Sequence, residues 1–247
     1  SDVYKRQARL AARSALRVGA GAVKIICSED VVDILEPQIS VELIEVIDNK
    51  QDFQNILKDK KVSSILIGPG NGINNETKAR ALMALAFIDH VVLDADALTV
   101  FENNPEELFI DCYPHTILTP HEGEFKKIFG KEIDEINDRV LKTKEASIKS
   151  NTTVVLKGAN TIIASPSGDV VINKSSATYL ATAGSGDVLA GIITSLVGKN
   201  KMNAFDAACA GVWLHSEIGT ILGAGMIAED IIDLIPVTVK KLLKMHQ

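Results

Sequence analysis

Short runs of β-branched and aliphatic residues alternate along the chain with stretches of helical periodicity, and no other feature narrows the fold as much. The runs are AVKIIC (22–27), VELIEV (41–46), VSSILIG (62–68), HVVLDA (90–95), TILTP (116–120) and TVVLKG (153–158). Amphipathic stretches lie near 8–18, 75–88, 134–150, 186–198 and 203–222, with a last helix near 229–245. This order predicts βαβ units and a largely parallel central sheet with helices on both faces, an α/β fold in three layers. One segment departs from it. TIIASPSGDVVIN (161–173) sets two β-rich runs around Pro166-Ser167-Gly168-Asp169 and predicts a local hairpin. No repeat, low-complexity tract or linker-like stretch divides residues 8–247, so a single domain is expected. The first seven residues, SDVYKRQ, sit apart from the helical pattern of ARLAARSALRVGAG and read as a foreign leader or a truncation scar.

Composition removes several function classes. The net charge is −6 and there is no long Lys/Arg run, which argues against a sequence-independent grip on nucleic acid. Any anionic ligand must be held by a local site. Cys27, Cys112 and Cys209 are odd in number and far apart, fitting neither a zinc spacing nor a disulfide framework, as expected of thiols in a reducing cytoplasm. No apolar run reaches the ~18 residues of a membrane span.

In an open parallel sheet, ligands bind beyond the carboxyl ends of the strands. Four such ends carry unusual residues: Gly68-Pro69-Gly70-Asn71-Gly72, Asp94-Ala95-Asp96, Thr119-Pro120-His121-Glu122-Gly123-Glu124, and Lys157-Gly158. Each has a plain structural reading as well. GPGNG fits a turn, Asp94 and Asp96 fit helix caps, His121 fits a cap beside Pro120, and Lys157 fits an edge charge. Their concentration at one type of strand end favours a site.

TAGSGDVLAG (182–191) is the strongest single signal. Gly184 and Gly186 remove Cβ atoms at a helix start, where unpaired backbone N–H groups and the helix dipole make an anion site. Asp187 would repel an anion there unless it serves a second ligand whose hydroxyl must lose a proton. A general base of this kind is worth ~10²–10⁴ in rate. Anion hole and base in one turn imply phosphoryl transfer to an alcohol.

These residues resemble the bacterial ADP-dependent NAD(P)H-hydrate dehydratases of the ribokinase-like superfamily. The resemblance runs from Ala8 to the C-terminus through ARLAARSALRVGAG, GPGNG, VVLDADAL, LTPHEGEF, VVLKGANTIIASPSG, LATAGSGDVLAGIITSL, ACAGVWLHSEIG and AEDIIDLIP, in the family's order. GxGD alone points only to the superfamily; LTPHEGEF and KGANT are more specific. The resemblance implies a cytoplasmic carbon–oxygen lyase of metabolite repair. Such an enzyme consumes ADP (ATP in eukaryotic relatives) with Mg²⁺ and returns the S-form of hydrated NADH or NADPH to NAD(P)H. Asp187 would deprotonate the ring hydroxyl. Ala8, Gly70, His121 and Asp187 would bind the hydrated nucleotide, and Lys157, Gly158, Ala159, Asn160, Thr161 and Gly186 the adenine nucleotide. No metal-ligating residue is implied, since the ion bridges phosphates, with Glu124 ordering its surroundings. His215 would satisfy a helix contact. By the same analogy the protein is a homotetramer and works beside an NAD(P)H-hydrate epimerase.

The sequence departs from the family's pattern in three places. The strand and glycine-rich loop that normally precede the segment at Ala8 are missing, NKSSATYLATAG lacks the usual Gly or Pro, and Thr99 stands where Asn is common. Two other readings stay open: a superfamily kinase of a vitamin precursor or sugar, against which His121 in place of Asn argues, and a nucleotide-binding scaffold inactive through truncation.

Overall fold

The structure, a computed structural model, describes residues 2–174, 178–199 and 202–245. Its strands are β1 (Lys24–Cys27), β2 (Leu43–Val46), β3 (Ile65–Ile67), β4 (Val91–Leu93), β5 (Ile117–Leu118), β6 (Thr153–Leu156), β7 (Asn160–Ala164) and β8 (Val170–Lys174). The helices are α1 (Asp2–Val18), α2 (Glu29–Leu35), α3 (Lys50–Leu57), α4 (Asn75–Phe87), α5 (Asp96–Thr99), α6 (Pro105–Phe109), α7 (Glu122–Asp134), α8 (Arg139–Ser150), α9 (Ser185–Lys199), α10 (Ala204–Leu222) and α11 (Ala228–Met245). Strands β3 to β6 pair in parallel, and β7 and β8 continue the sheet antiparallel as the expected hairpin.

The layers follow from alternation along each strand. In β4, Val91 and Leu93 face a core shared with α3, α4, α5, α7 and α8, while Val92 faces α9 and α10. In β6, Val154 and Leu156 face the first core and Val155 the second. Both faces are apolar because both are covered. Helices α1, α9, α10 and α11 form a further buried cluster around Leu10, Val188, Leu214 and Ile231. Among the described residues no helix is long and apolar enough to cross a membrane.

Helices α2, α3, α5 and α6 were not expected from the sequence, and other features differ as well. The sheet is in two pieces: β1 and β2 pair only with each other, apart from the six strands that begin at β3. The helix expected at 134–150 begins five residues later, as α8 capped by Asp138, and a further helix, α7, occupies residues 122–134 before it. Helix α1 also begins at Asp2, so most of SDVYKRQ extends the helix that carries Ala8. Of the stretch NKSSATYLATAG, residues 175–177 lie outside the described residues.

Gly191 sets the closest helix crossing. A Cβ there would collide with the Ala11 carbonyl oxygen and with Ser14 Oγ, whose hydroxyl bonds Ala11 O at 2.9 Å and Val188 O at 3.0 Å. Ala is the better helix former by about 1 kcal/mol, yet a backbone carbonyl cannot rotate aside. Gly191→Ala is therefore expected to destabilise by about 1–3 kcal/mol, lowering Tm by about 2–12 °C. Calorimetry checks this, and an unchanged or raised Tm would mean that α1 does not pack on α9 this closely.

Candidate active site

Every flagged strand end lies on the same edge of the main sheet, at the carboxyl ends of β3, β4, β5 and β6. After β3 the GPGNG turn runs through positive φ at Gly68, Gly70 and Gly72. A Cβ on Gly68 would overlap the Asp94 carbonyl, so this loop can lie against the next strand end only with glycine there. Asn71 Oδ1 accepts the Gly68 N–H at 2.7 Å and Asp96 Oδ2 accepts the Gly72 N–H at 2.8 Å. Asp96 thus braces the neighbouring loop, and burial raises its carboxyl's pKa although this N–H opposes the rise.

Between the two aspartates, Ala95 is held at φ 49, a conformation that costs a non-glycine residue about 1–3 kcal/mol. It sends Asp96 to Gly72 and leaves Asp94 at 2% exposure, pointing to Lys157. Neither aspartate caps α5, whose N-cap is Ala95 with no side-chain bond. Lys157 Nζ lies 2.7 Å from Asp94 Oδ1 and 3.9 Å from Glu124 Oε2. Burial works against its charge, but Asp94 and Glu124 outweigh burial and hold the ammonium above the ordinary lysine range. Lys157 is therefore a fixed cation rather than an edge charge.

His121 is indeed a cap. Its Nδ1 accepts the Gly123 N–H at 2.9 Å and the Glu124 N–H at 3.2 Å, while Glu124 Oε2 accepts the His121 N–H at 2.9 Å. This reciprocal arrangement is a capping box with His in the usual Ser/Thr place. With Nδ1 accepting, Nε2 carries the hydrogen, 3.3 Å from Glu124 Oε1 on a side chain 60% exposed. It faces outward as a donor. Burial raises the Glu124 carboxyl, Lys157 pulls it back and Asp94 adds to the rise.

The glycine-flanked turn at the start of α9 closes the site. A Cβ on Gly186 would sit 3.5 Å from Lys157 Nζ, so the helix N-terminus and the lysine face one space. Asp187 is 5% exposed. Burial, with Asp94 adding to it, pushes its carboxyl up to about 7, against the pull of Lys157, Gln7 and Arg6. Gln7 Nε2 donates to Asp187 Oδ1 at 3.3 Å, which brings the start of α1, and with it Ala8, beside the base.

The turn Lys157–Thr161 leaves the edge of β6 largely exposed at Gly158, Ala159 and Asn160. Arg139 at the start of α8 ties it down, donating to Asn160 O at 2.6 Å and Lys157 O at 3.4 Å, with Glu122 Oε1 at 2.7 Å from Nε. A Cβ on Gly158 would sit 2.7 Å from that guanidinium, which would have to shift to admit it. Asp187, Gly186, Lys157, Glu124 and His121 thus form one contiguous site. Gly70 stands in the loop braced by Asp96, beside it. Sequence reasoning missed Arg139 and left Asp94 open. Among the described residues no three His, Cys, Asp or Glu side chains are grouped to hold a metal.

A lysine beside a helix N-terminus over the carboxyl edge of a largely parallel sheet, with a buried carboxylate in the same helix turn, is an arrangement suited to an anionic ligand on a ribokinase-like α/β fold. The chain belongs to the Carb_kinase (NAD(P)H-hydrate dehydratase) family, whose profile matches residues 1–236. It is 33% identical to the ADP-dependent (S)-NAD(P)H-hydrate dehydratase of Neisseria meningitidis serogroup B over 239 residues, 90% of this chain and 76% of that protein. It is 31% identical to the bifunctional NAD(P)H-hydrate repair enzyme of Escherichia coli K12, covering 90% of this chain but only 43% of that protein. The chain thus spans less than half the length of that bifunctional relative. The ADP/ATP-dependent NAD(P)H-hydrate dehydratase of Bacillus subtilis, co-crystallised with ATP/Mg²⁺ and soaked with CoA, superposes with a TM-score of 0.79 at 27% identity. That match covers 98% of this chain and 88% of that one. A ribokinase-like superfamily protein of Enterococcus faecalis superposes at 0.84 with 22% identity, covering 96% and 83%, a likeness of fold.

Proposed function

We propose that this chain dehydrates the S-form of hydrated NADH or NADPH, consuming ADP and releasing AMP and phosphate, or, with ATP as the alternative donor, releasing ADP and phosphate. One observation carries the reading: Asp187, buried and pushed up to about 7, stands in the same turn as Gly186, where a Cβ would lie 3.5 Å from Lys157 Nζ. Asp187 takes the proton of the ring hydroxyl as its oxygen bonds the terminal phosphorus and the bond to AMP breaks. Lys157 and the first N–H groups of α9 hold the negative charge of the moving phosphoryl group. The ring nitrogen then expels phosphate with the ring oxygen, the C–O bond breaks, and loss of the adjacent proton restores the dihydropyridine.

Gly158, Ala159, Asn160 and Thr161 line the nucleotide's side of this space. Ala8, Gly70 and the outward Nε2–H of His121 line the hydrate's side. Mg²⁺, held by the nucleotide phosphates with Glu124 ordering its surroundings, would offset phosphate charge when bound. The three cysteines are separate free thiols, which suits the cytoplasm in which this reaction is placed. A homotetramer, and action beside an NAD(P)H-hydrate epimerase, complete the reading; relatives named as bifunctional repair enzymes support the second.

The reading is tested by incubating the protein with hydrated NADH, ADP and Mg²⁺ while following reduced-nicotinamide absorbance and AMP. Recovery of absorbance with AMP released mole for mole is expected. A stable phosphorylated product would make the chain a kinase, and ADP binding without turnover would make it a scaffold.

A further inference from the structure

His215 sits mid-helix in α10, 7% exposed, and the chemistry above makes no use of it. Its Nε2 lies 2.9 Å from Ser185 Oγ and 3.0 Å from the Ser185 carbonyl oxygen. Ser185 is itself buried and is the first residue of α9, directly before Gly186 and Asp187. A carbonyl oxygen only accepts, so Nε2 must carry the hydrogen; the imidazole then donates to Ser185 O and Oγ together. Burial pushes the ring's pKa down to about 4, opposed by the bond to the Ser185 carbonyl and aided by the nearby Lys157 ammonium, so the ring is neutral with its one hydrogen on Nε2.

The consequence lies in the turn. The first N–H groups of a helix have no partner within it, so their direction depends on what holds the turn from behind. Gly184 at φ +92 and Gly186 leave this turn little stiffness of their own. The Ser185 peptide is the link between them, and His215 is the donor that grips it. We infer that His215 is a positioning residue: through Ser185 it aims the Gly186 and Asp187 N–H groups at the terminal phosphoryl group and the Asp187 carboxylate at the hydroxyl that attacks it. This rests on the phosphoryl-transfer reading of the site, and the test separates the two.

The binding arm compares ADP with AMP by calorimetric titration, because only ADP carries the transferred group. His215→Phe is expected to weaken ADP about tenfold relative to AMP, the scale of one charge-assisted hydrogen bond. Steady-state turnover of hydrated NADH should fall in kcat by about 10–100-fold, with KM for the hydrate held within twofold. His215→Gln, which returns an N–H at similar reach, is expected to recover most of both losses. Ser185→Ala should lie between, and adding it to His215→Phe should cost nothing further. A lowered Tm with wild-type kcat and an unchanged ADP/AMP ratio in His215→Phe would overturn the inference by making the residue purely structural. Should that variant fail to fold, wild-type values in Ser185→Ala, or no advantage of ADP over AMP lost in His215→Gln together with Ser185→Ala, overturn it equally. An inactive wild type whose ADP/AMP ratio still collapses in His215→Phe would defeat the proposed function and leave this inference standing.

Discussion

Asp187→Asn is expected to lower kcat by about 10²–10⁴-fold, the usual contribution of a general base, while ADP still binds and the folded protein becomes more stable at alkaline pH. The sign follows from linkage. The Asp187 carboxyl stands at about 7 in the fold against 3.8 for the free group. Its protonated form therefore favours folding: that contribution is full below about pH 4 and lost as pH rises through 7. Above pH 7 the wild type carries a buried negative charge that Asn lacks. The conversion of 1.36 kcal/mol per pH unit puts the gain in the variant at about 2–4 kcal/mol. Denaturant melts at pH 5 and pH 8.5 read it as a difference that grows with pH. In turnover, the wild type's kcat/KM should fall tenfold per unit below an apparent pKa near 7. A variant within twofold of the wild type in kcat, or a profile flat from pH 5 to 8, would remove Asp187 from the chemistry.

The second large effect is at Lys157. It is the cation between Asp94 at 2.7 Å and Glu124 at 3.9 Å, and it also pulls Asp187 down. Lys157→Met strands buried carboxylates without a counter-charge, a loss that typically costs 3–5 kcal/mol. ADP binding should be lost with it. The double variant Asp94→Asn/Lys157→Met is expected to recover a large part of the stability and none of the turnover, since it removes the stranded charge without replacing the phosphate's partner. Urea denaturation with parallel ADP titration separates the two losses. Equal stability of Lys157→Met and wild type at pH 8 would mean that the carboxylates find solvent without the lysine.

Local pattern was enough for the elements whose identity depends on periodicity. The six strand runs and the hairpin expected at 161–173 stand within three residues of expectation; in β4, β5 and β6 residues buried on both faces leave an unbroken apolar signal, while β1, β2 and β8 are only partly buried and are marked by β-rich composition. Helix α7 was hidden in LTPHEGEF: its first turn is polar, and its capping box uses His121 where the usual signal is Ser or Thr. Helix α3 was missed for another reason, as only Phe53 and Leu57 of its eight residues are buried. The gap between β2–β1 and β3 is a matter of pairing, which no single strand's pattern encodes.

The site shows the same division. Asp94 and Lys157 each stood out at a strand end, yet their ion pair joins residues 63 apart in sequence. It follows only from the order β4-β5-β6, which puts the two strand ends about 10 Å apart across one short strand, within a lysine's reach. The grip of His215 on Ser185 was illegible because it crosses from mid-α10 to the start of α9, in a stretch whose periodicity reports only burial. Glycines were the most informative residues locally. Gly68 and Gly184 each mark a place where a positive φ and a close neighbour, a carbonyl and an apolar side chain respectively, leave no room for a Cβ.

In the proposed reaction the ring oxygen itself becomes phosphorylated and leaves with phosphate. Hydrated NADH labelled with ¹⁸O at the ring hydroxyl, turned over with ADP in unlabelled water, tests it by mass spectrometry of the released phosphate. One ¹⁸O in each phosphate per NADH restored is the predicted result. Unlabelled phosphate, with the ¹⁸O in water, would show that dehydration proceeds without phosphoryl transfer and would contradict the roles given to Asp187, Gly186 and Lys157.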